Sequence, residues 1–110
     1  MKQIIPMIMN KITLQSVRFK ASEQLKKFVN EKVSKLFEQD ESIIRADVAL
    51  YEGESGNHEN QFCTIQLIVP GENPVVKKNS RSYEKSVIDA VNALQKVLRR
   101  QKARHIKKRN

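Results

Sequence analysis

A change of apolar period between residues 8 and 50 constrains this chain more than any other feature. Ile8, Asn10, Ile12 and Leu14 alternate with Met9, Lys11, Thr13 and Gln15, and Ile44, Ala46, Val48 and Leu50 alternate with Arg45, Asp47 and Ala49. A period of two buries one face of a strand. Between these stretches Leu25, Phe28, Val29, Val33, Leu36 and Phe37 recur at steps of three and four, with Lys27, Glu31 and Ser34 pointing away. That spacing predicts an amphipathic helix of about four turns. Ser22 offers its N-cap and Glu23 an acidic first turn. A helix standing between two neighbouring strands implies a parallel, right-handed crossover.

The remainder reads as a meander closed by a second helix. Gly53, Ser55, Gly56 and Asn57 mark a hairpin loop within Glu52 to Asn60. A third strand is expected from about Gln61 to Val69, with Cys63, Ile65, Leu67 and Val69 on one face. Pro70-Gly71-Glu72-Asn73-Pro74 is a strong turn signal, and a short strand, Val75 to Lys78, follows it. Ser82 can cap a final helix whose stripe is Tyr83, Val87, Ala90, Val91, Leu94, Val97 and Leu98. The expected fold is α+β, in the order β-α-β-β-β-α: a four-stranded mixed sheet with two helices packed on one face, which buries both stripes at once. Residues 1–102 form a single domain in this reading. Residues 103–110 form a basic tail that frays or orders only against a partner.

Charge placement narrows the partner. Residues 1–76 hold nine Lys/Arg and ten Asp/Glu, whereas residues 77–110 hold twelve and two, so the whole net charge of +9 comes from the last third. Lys and Glu alternate through residues 20–41, as on an ordinary solvated face. From Arg99 to Arg109, seven of eleven residues are basic and none is acidic. Clustered cations release condensed counterions when they meet phosphates, so a polyanion, nucleic acid above all, is the expected partner.

Other chemistries lack their residues. The single cysteine, Cys63, forbids an internal disulfide or a cysteine-based metal cluster, and its apolar surroundings suggest a buried, inert thiol. His58 and His105 have no ligand-spaced companions and read as surface histidines. The apolar N-terminal stretch is short, Pro6 interrupts it and no small-residue cleavage pattern follows, so it reads as the lead into the first strand. No run approaches the roughly 18 apolar residues of a membrane span. There is no Gly-rich phosphate loop, nucleophile elbow or His-Glu-x-x-His motif, and neither an enzyme nor a cofactor is expected. The third strand, Gln61-Phe62-Cys63-Thr64-Ile65, lacks the aromatic pattern of an RNA recognition motif, and no Gly-x-x-Gly loop of KH type occurs. Recognition of backbone and shape by Lys and Arg remains.

The candidate contacts are Lys77, Lys78 and Arg81 before the final helix, Lys85 in its first turn, and Lys96, Arg99, Arg100 and Lys102 further along. Positions 85, 92, 96, 99 and 103 fall near one line on a helix. Strand alternation sends Lys77 and Lys78 to opposite faces. Lys27 and Lys35 of the first helix are weaker candidates, because Glu31 and Glu38 offset them.

Several segments together resemble the ribosome hibernation promoting factor / ribosome-associated inhibitor family, over roughly residues 10–103. They are Ile12-Thr13-Leu14, then Leu25 through Glu31-Lys32-Val33-Ser34-Lys35-Leu36, then Ala46-Asp47-Val48, then Ile65-Gln66-Leu67-Ile68-Val69-Pro70-Gly71, and the helix from Tyr83 to Lys102 with its basic end. The chain departs from the family pattern at Ser86-Val87-Ile88, where Ala-Ile-Asp is usual, at Val97, where Gln is common, and at Ser80-Arg81-Ser82, where acidic residues often stand. The resemblance implies an arrangement similar to double-stranded-RNA-binding domains. It also implies a cytoplasmic stress factor that binds the small ribosomal subunit and its rRNA in the channel used by messenger and transfer RNA, blocking initiation. Lys27, Lys35, Arg99, Arg100 and Lys102 are the positions comparable to that family's rRNA contacts. The basic tail stands where long members carry a dimerising domain, so a short form is expected, monomeric off the ribosome, with no membrane and no small-molecule substrate. A general duplex-RNA-binding chaperone or a ribosome assembly protein is the alternative; a DNA-associated protein and an enzyme rank lower.

Overall fold

The structure, a computed structural model, describes residues 11–53 and 59–109, with side chains described through residue 102. Its elements run β1 (Ile12–Val17), α1 (Glu23–Gln39), β2 (Arg45–Glu52), β3 (Gln61–Ile68), β4 (Val75–Ser80) and α2 (Tyr83–Arg109). The sheet order is β1-β2-β3-β4, with β1 parallel to β2 and the other pairs antiparallel. The expected α+β fold, its mixed sheet and its β-α-β-β-β-α order are therefore present, and α1 forms the crossover. The expected strand residues Ile8 to Asn10 and His58 lie outside the described residues, as does the side chain of His105.

Both helices cover the face to which Ile12, Val48, Leu50, Ile65 and Leu67 point. From α1 come Leu25, Val29, Val33 and Leu36, and from α2 come Val87, Ala90, Val91, Leu94 and Leu98, all buried against that face. Phe28, Phe37 and Tyr83 rim the core. Truncating any of the large fully buried side chains to Ala would cost about 2–5 kcal/mol through lost burial and an unfilled cavity. Ser22 caps α1, its Oγ accepting from the Leu25 N–H at 3.0 Å, and Ser82 caps α2, accepting from the Lys85 N–H at 3.2 Å.

Three boundaries differ from the sequence reading. Ile44 was expected in the core with Ala46 and Val48, yet it is 56% exposed while Ile43 is 2% exposed. Asp40 Oδ1 accepts from the Ser42 N–H at 2.9 Å, and this tight turn re-aims the chain so that Ile43 joins the core. The fourth strand runs on to Ser80, because Gln61 and Phe62 find partners in Ser80 and Asn79. Val69 leaves the third strand and bridges Glu72 across Pro70-Gly71, where Gly71 adopts φ +88°, as the third residue of a type II turn requires.

β1 and β4 point the same way, each through the intervening antiparallel or parallel pairings, and a helix follows each after a few residues. The two helices therefore start at one end of the sheet and run back side by side. Phe19 stacks on Tyr83 at their beginnings, with ring centroids 4.7 Å apart. The Gln39 side chain reaches the Gln95 carbonyl at 3.0 Å where α1 ends. At roughly 1.5 Å per residue, α2 continues about 20 Å beyond that contact.

Candidate nucleic-acid interface

The geometry of α2 decides which candidate cations can act together. Its buried residues recur on one side, and Lys85, Ile88, Asn92, Lys96, Arg99, Arg100 and Lys102 are exposed on the others. Leu98 is the last buried apolar residue described, so Arg99, Arg100 and Lys102 stand at and beyond the end of the core. Among the described residues, Lys96, Arg99, Arg100 and Lys102 make no ion pair. Lys85 does: its Nζ lies 3.3 Å from Asp89 Oδ2, one helical turn on. Ile88, 37% exposed, and Asn92 then separate Lys85 from Lys96 along the ridge. The cationic density is thus concentrated in the last described turns, with a neutralised outlier at the helix start. One acidic group sits at the base of the cluster, where Gln101 donates a hydrogen bond to Glu72 of the β3–β4 turn.

The remaining candidates scatter. Lys78 pairs in register with Cys63 and so lies on the helix-covered side at the β4 edge, exposed. Lys77 occupies the opposite face, its Nζ 5.7 Å from the centroid of the Phe62 ring. Arg81 is exposed in the two-residue link between β4 and α2. Lys27 and Lys35 are exposed on α1 in line with Glu31 and Glu38, a ridge of alternating sign that attracts phosphate weakly. Sequence reasoning passed over Arg18 and Lys20, both exposed beside the start of α2 because Phe19 between them stacks on Tyr83. Arg18 has φ +70°, a left-handed conformation that costs a non-glycine residue about 1–2 kcal/mol. No local pattern signals it, since the turn that imposes it depends on where β1 stops.

What anchors α2 is also invisible in a hydropathy pattern. Ser86 is fully buried; its Oγ donates to the Gln61 carbonyl at 2.6 Å and contacts Ser80 Oγ at 3.0 Å. Ser80 Oγ also accepts from the Ser82 N–H at 3.2 Å. The departure from the family pattern at Ser86 is thus a packed polar bolt between helix and sheet. Among the described residues no group of His, Cys, Asp and Glu could hold a metal ion. Nor is any helix there long and apolar enough to cross a membrane. Burial pushes the Cys63 thiol up to about 12, in keeping with an inert role.

Fold and charge together define a small α+β domain with a cationic helix end. The chain belongs to the sigma 54 modulation protein / S30EA ribosomal protein family, matching its model over residues 12–106. Among solved structures it is similar to the N-terminal domain of Thermus thermophilus Protein Y, at 19% identity and a TM-score of 0.68, covering 80% of this chain and 93% of that one. It is similar too to a ribosomal subunit interface protein from Coxiella burnetii, at 16% identity and a TM-score of 0.74, covering 84% and 97%. These two likenesses show the shared fold. No curated relative matches the chain.

Proposed function

We propose that the protein is a hibernation factor that occupies the messenger–transfer RNA channel of the small ribosomal subunit and inhibits initiation sterically, without chemistry. The observation that carries this reading is the set of exposed cations Lys96, Arg99, Arg100 and Lys102, free of ion pairs among the described residues, on the part of α2 that leaves the core. A rigid helix holds them at fixed spacing, so a phosphate path on folded rRNA meets them without a large ordering cost. Arg81, Lys78 and Lys85 extend the contact toward the helix start; Lys27 and Lys35 add a weaker one from α1, and Lys77 reaches RNA only from the far face. Residues 1–102 act as one cytoplasmic, monomeric domain, and residues 103–110 lengthen its cationic end. Stress is the condition in which such a block is useful.

Chemical footprinting on purified small subunits tests the proposal. Protection confined to the channel supports it. Protection spread over rRNA duplexes outside the channel overturns it and favours the duplex-RNA chaperone or assembly reading. In extract gradients the protein should sediment with small subunits or whole ribosomes and be scarce among polysomes.

A further inference from the structure

The helices cover one face of the sheet and leave the other open. On that open face Tyr51 and Phe62, cross-strand partners on the two central strands, stack with ring centroids 5.2 Å apart and planes 9° from parallel. In the adjoining row the register sets Ala49 between Gln15 and Thr64. Because Ala49 has so little bulk, an open hollow of about 520 Å³ lies over it, reached by Gln66 and Arg45. Lys77 closes that row, its ammonium near the Phe62 ring. Asp47, the one carboxylate among the strand residues of this face, is already satisfied. It accepts from Arg45 Nε at 2.9 Å and from the Thr13 hydroxyl at 2.7 Å.

The chemistry of this surface selects among occupants. A protein docking by burial of apolar area would meet Gln, Thr, Arg and Lys around the hollow, each needing a partner. A nucleobase offers a π-face for the aromatic pair and a hydrogen-bonding edge for amides, while its phosphate suits Lys77. The two central strands are also where a sheet can present stacking residues to successive bases. With Asp47 neutralised, the face does not repel an anion. We propose that the open face binds single-stranded RNA: one base stacks on the Tyr51–Phe62 pair, and its neighbour sits over Ala49 within reach of Gln15 and Gln66. This is a second surface, on the opposite side of the sheet from the helices.

The protein contains two tyrosines and no tryptophan, so its fluorescence can report the site. Tyr83→Phe keeps the stack on Phe19 and leaves Tyr51 as the sole tyrosine. Titrating this variant with a short oligoadenylate should quench Tyr51 emission, and a duplex RNA of equal length should not. Adding Ala49→Leu, which fills the hollow without changing charge, should weaken binding about tenfold. Lys77→Glu, at an exposed position that a folded chain tolerates, should also weaken it. No quenching, equal quenching by duplex, or affinity untouched by both substitutions would overturn the proposal. Such a result would leave the channel reading intact, because footprinting on the subunit tests that separately. Oligoadenylate binding lost on Arg99→Glu/Arg100→Glu but unchanged in Ala49→Leu would likewise assign it to the helix and sink the platform.

Discussion

Ser86 Oγ donates to the carbonyl oxygen of Gln61 at 2.6 Å, tying the first turn of α2 to the first residue of β3. Ser34 makes a bond of the same length to the Asn30 carbonyl, but within one turn of α1 and partly exposed. The two serines should therefore behave differently. Ser86→Ala removes the bond that joins helix to sheet from a fully buried position and should cost about 1–3 kcal/mol. Ser34→Ala removes a bond that competes with the helix's own ladder and should cost almost nothing. Urea denaturation of both variants checks this; equal losses would deny Ser86 its anchoring role.

The cationic end of α2 should dominate RNA affinity. Arg99→Glu/Arg100→Glu should weaken binding to small subunits far more than Lys27→Glu/Lys35→Glu, because Glu31 and Glu38 already offset the α1 lysines. If about six phosphates are neutralised, the logarithm of the affinity should fall with that of salt at a slope of about −4 to −5. A flat salt response would remove the electrostatic mechanism.

Asp47 links pH to stability on the open face. The hydrogen bond from Arg45 holds its carboxyl below the usual aspartate range; burial opposes this in part, and the Thr13 hydroxyl and the Arg45 charge lower it further. A lowered native pKa stabilises the fold above the unfolded value of about 4, and that contribution disappears as pH falls through the native value. Asp47→Asn should therefore destabilise the protein at neutral pH and flatten its loss of stability under acid. Denaturant midpoints at pH 7 and pH 3 measure the difference.

Cys63 tests the core from the inside. With its native pKa pushed up to about 12 by burial, the thiol should resist a disulfide exchange reagent until the protein unfolds. The sign at alkaline pH follows from the same shift. The unfolded thiol ionises near its ordinary value of 9.0 and the native one does not, so stability should fall as pH rises above that value toward the native one. Rapid labelling at neutral pH would show that the sheet opens more readily than its packing implies.

Much of the fold was legible because its elements announce themselves locally. The stripe from Leu25 to Phe37 and the alternation from Ala46 to Leu50 are properties of residues a few positions apart, and burial follows period. Gly71 was legible for the same reason, since a left-handed turn residue needs no distant partner. Ile43 and Ile44 were not, because two neighbouring isoleucines carry no mark of which one the Asp40 turn will bury. The cationic cluster at Lys96 to Lys102 could be read from composition, but the neutralisation of Lys85 by Asp89 required an actual rotamer.

By itself, then, the sequence determined the element order, the two buried stripes and the excess of positive charge near its C-terminal end, all consequences of short-range spacing. Only the tertiary structure decided what lies across from what. The register of β2 against β3 brings Tyr51 to Phe62, the chain path brings Ser86 to Gln61, and the parallel helices leave the end of α2 projecting past α1. Pairing between residues distant along the chain is set by how whole elements pack. The same sequence pattern slid by one residue would turn every side chain of a strand to the other face.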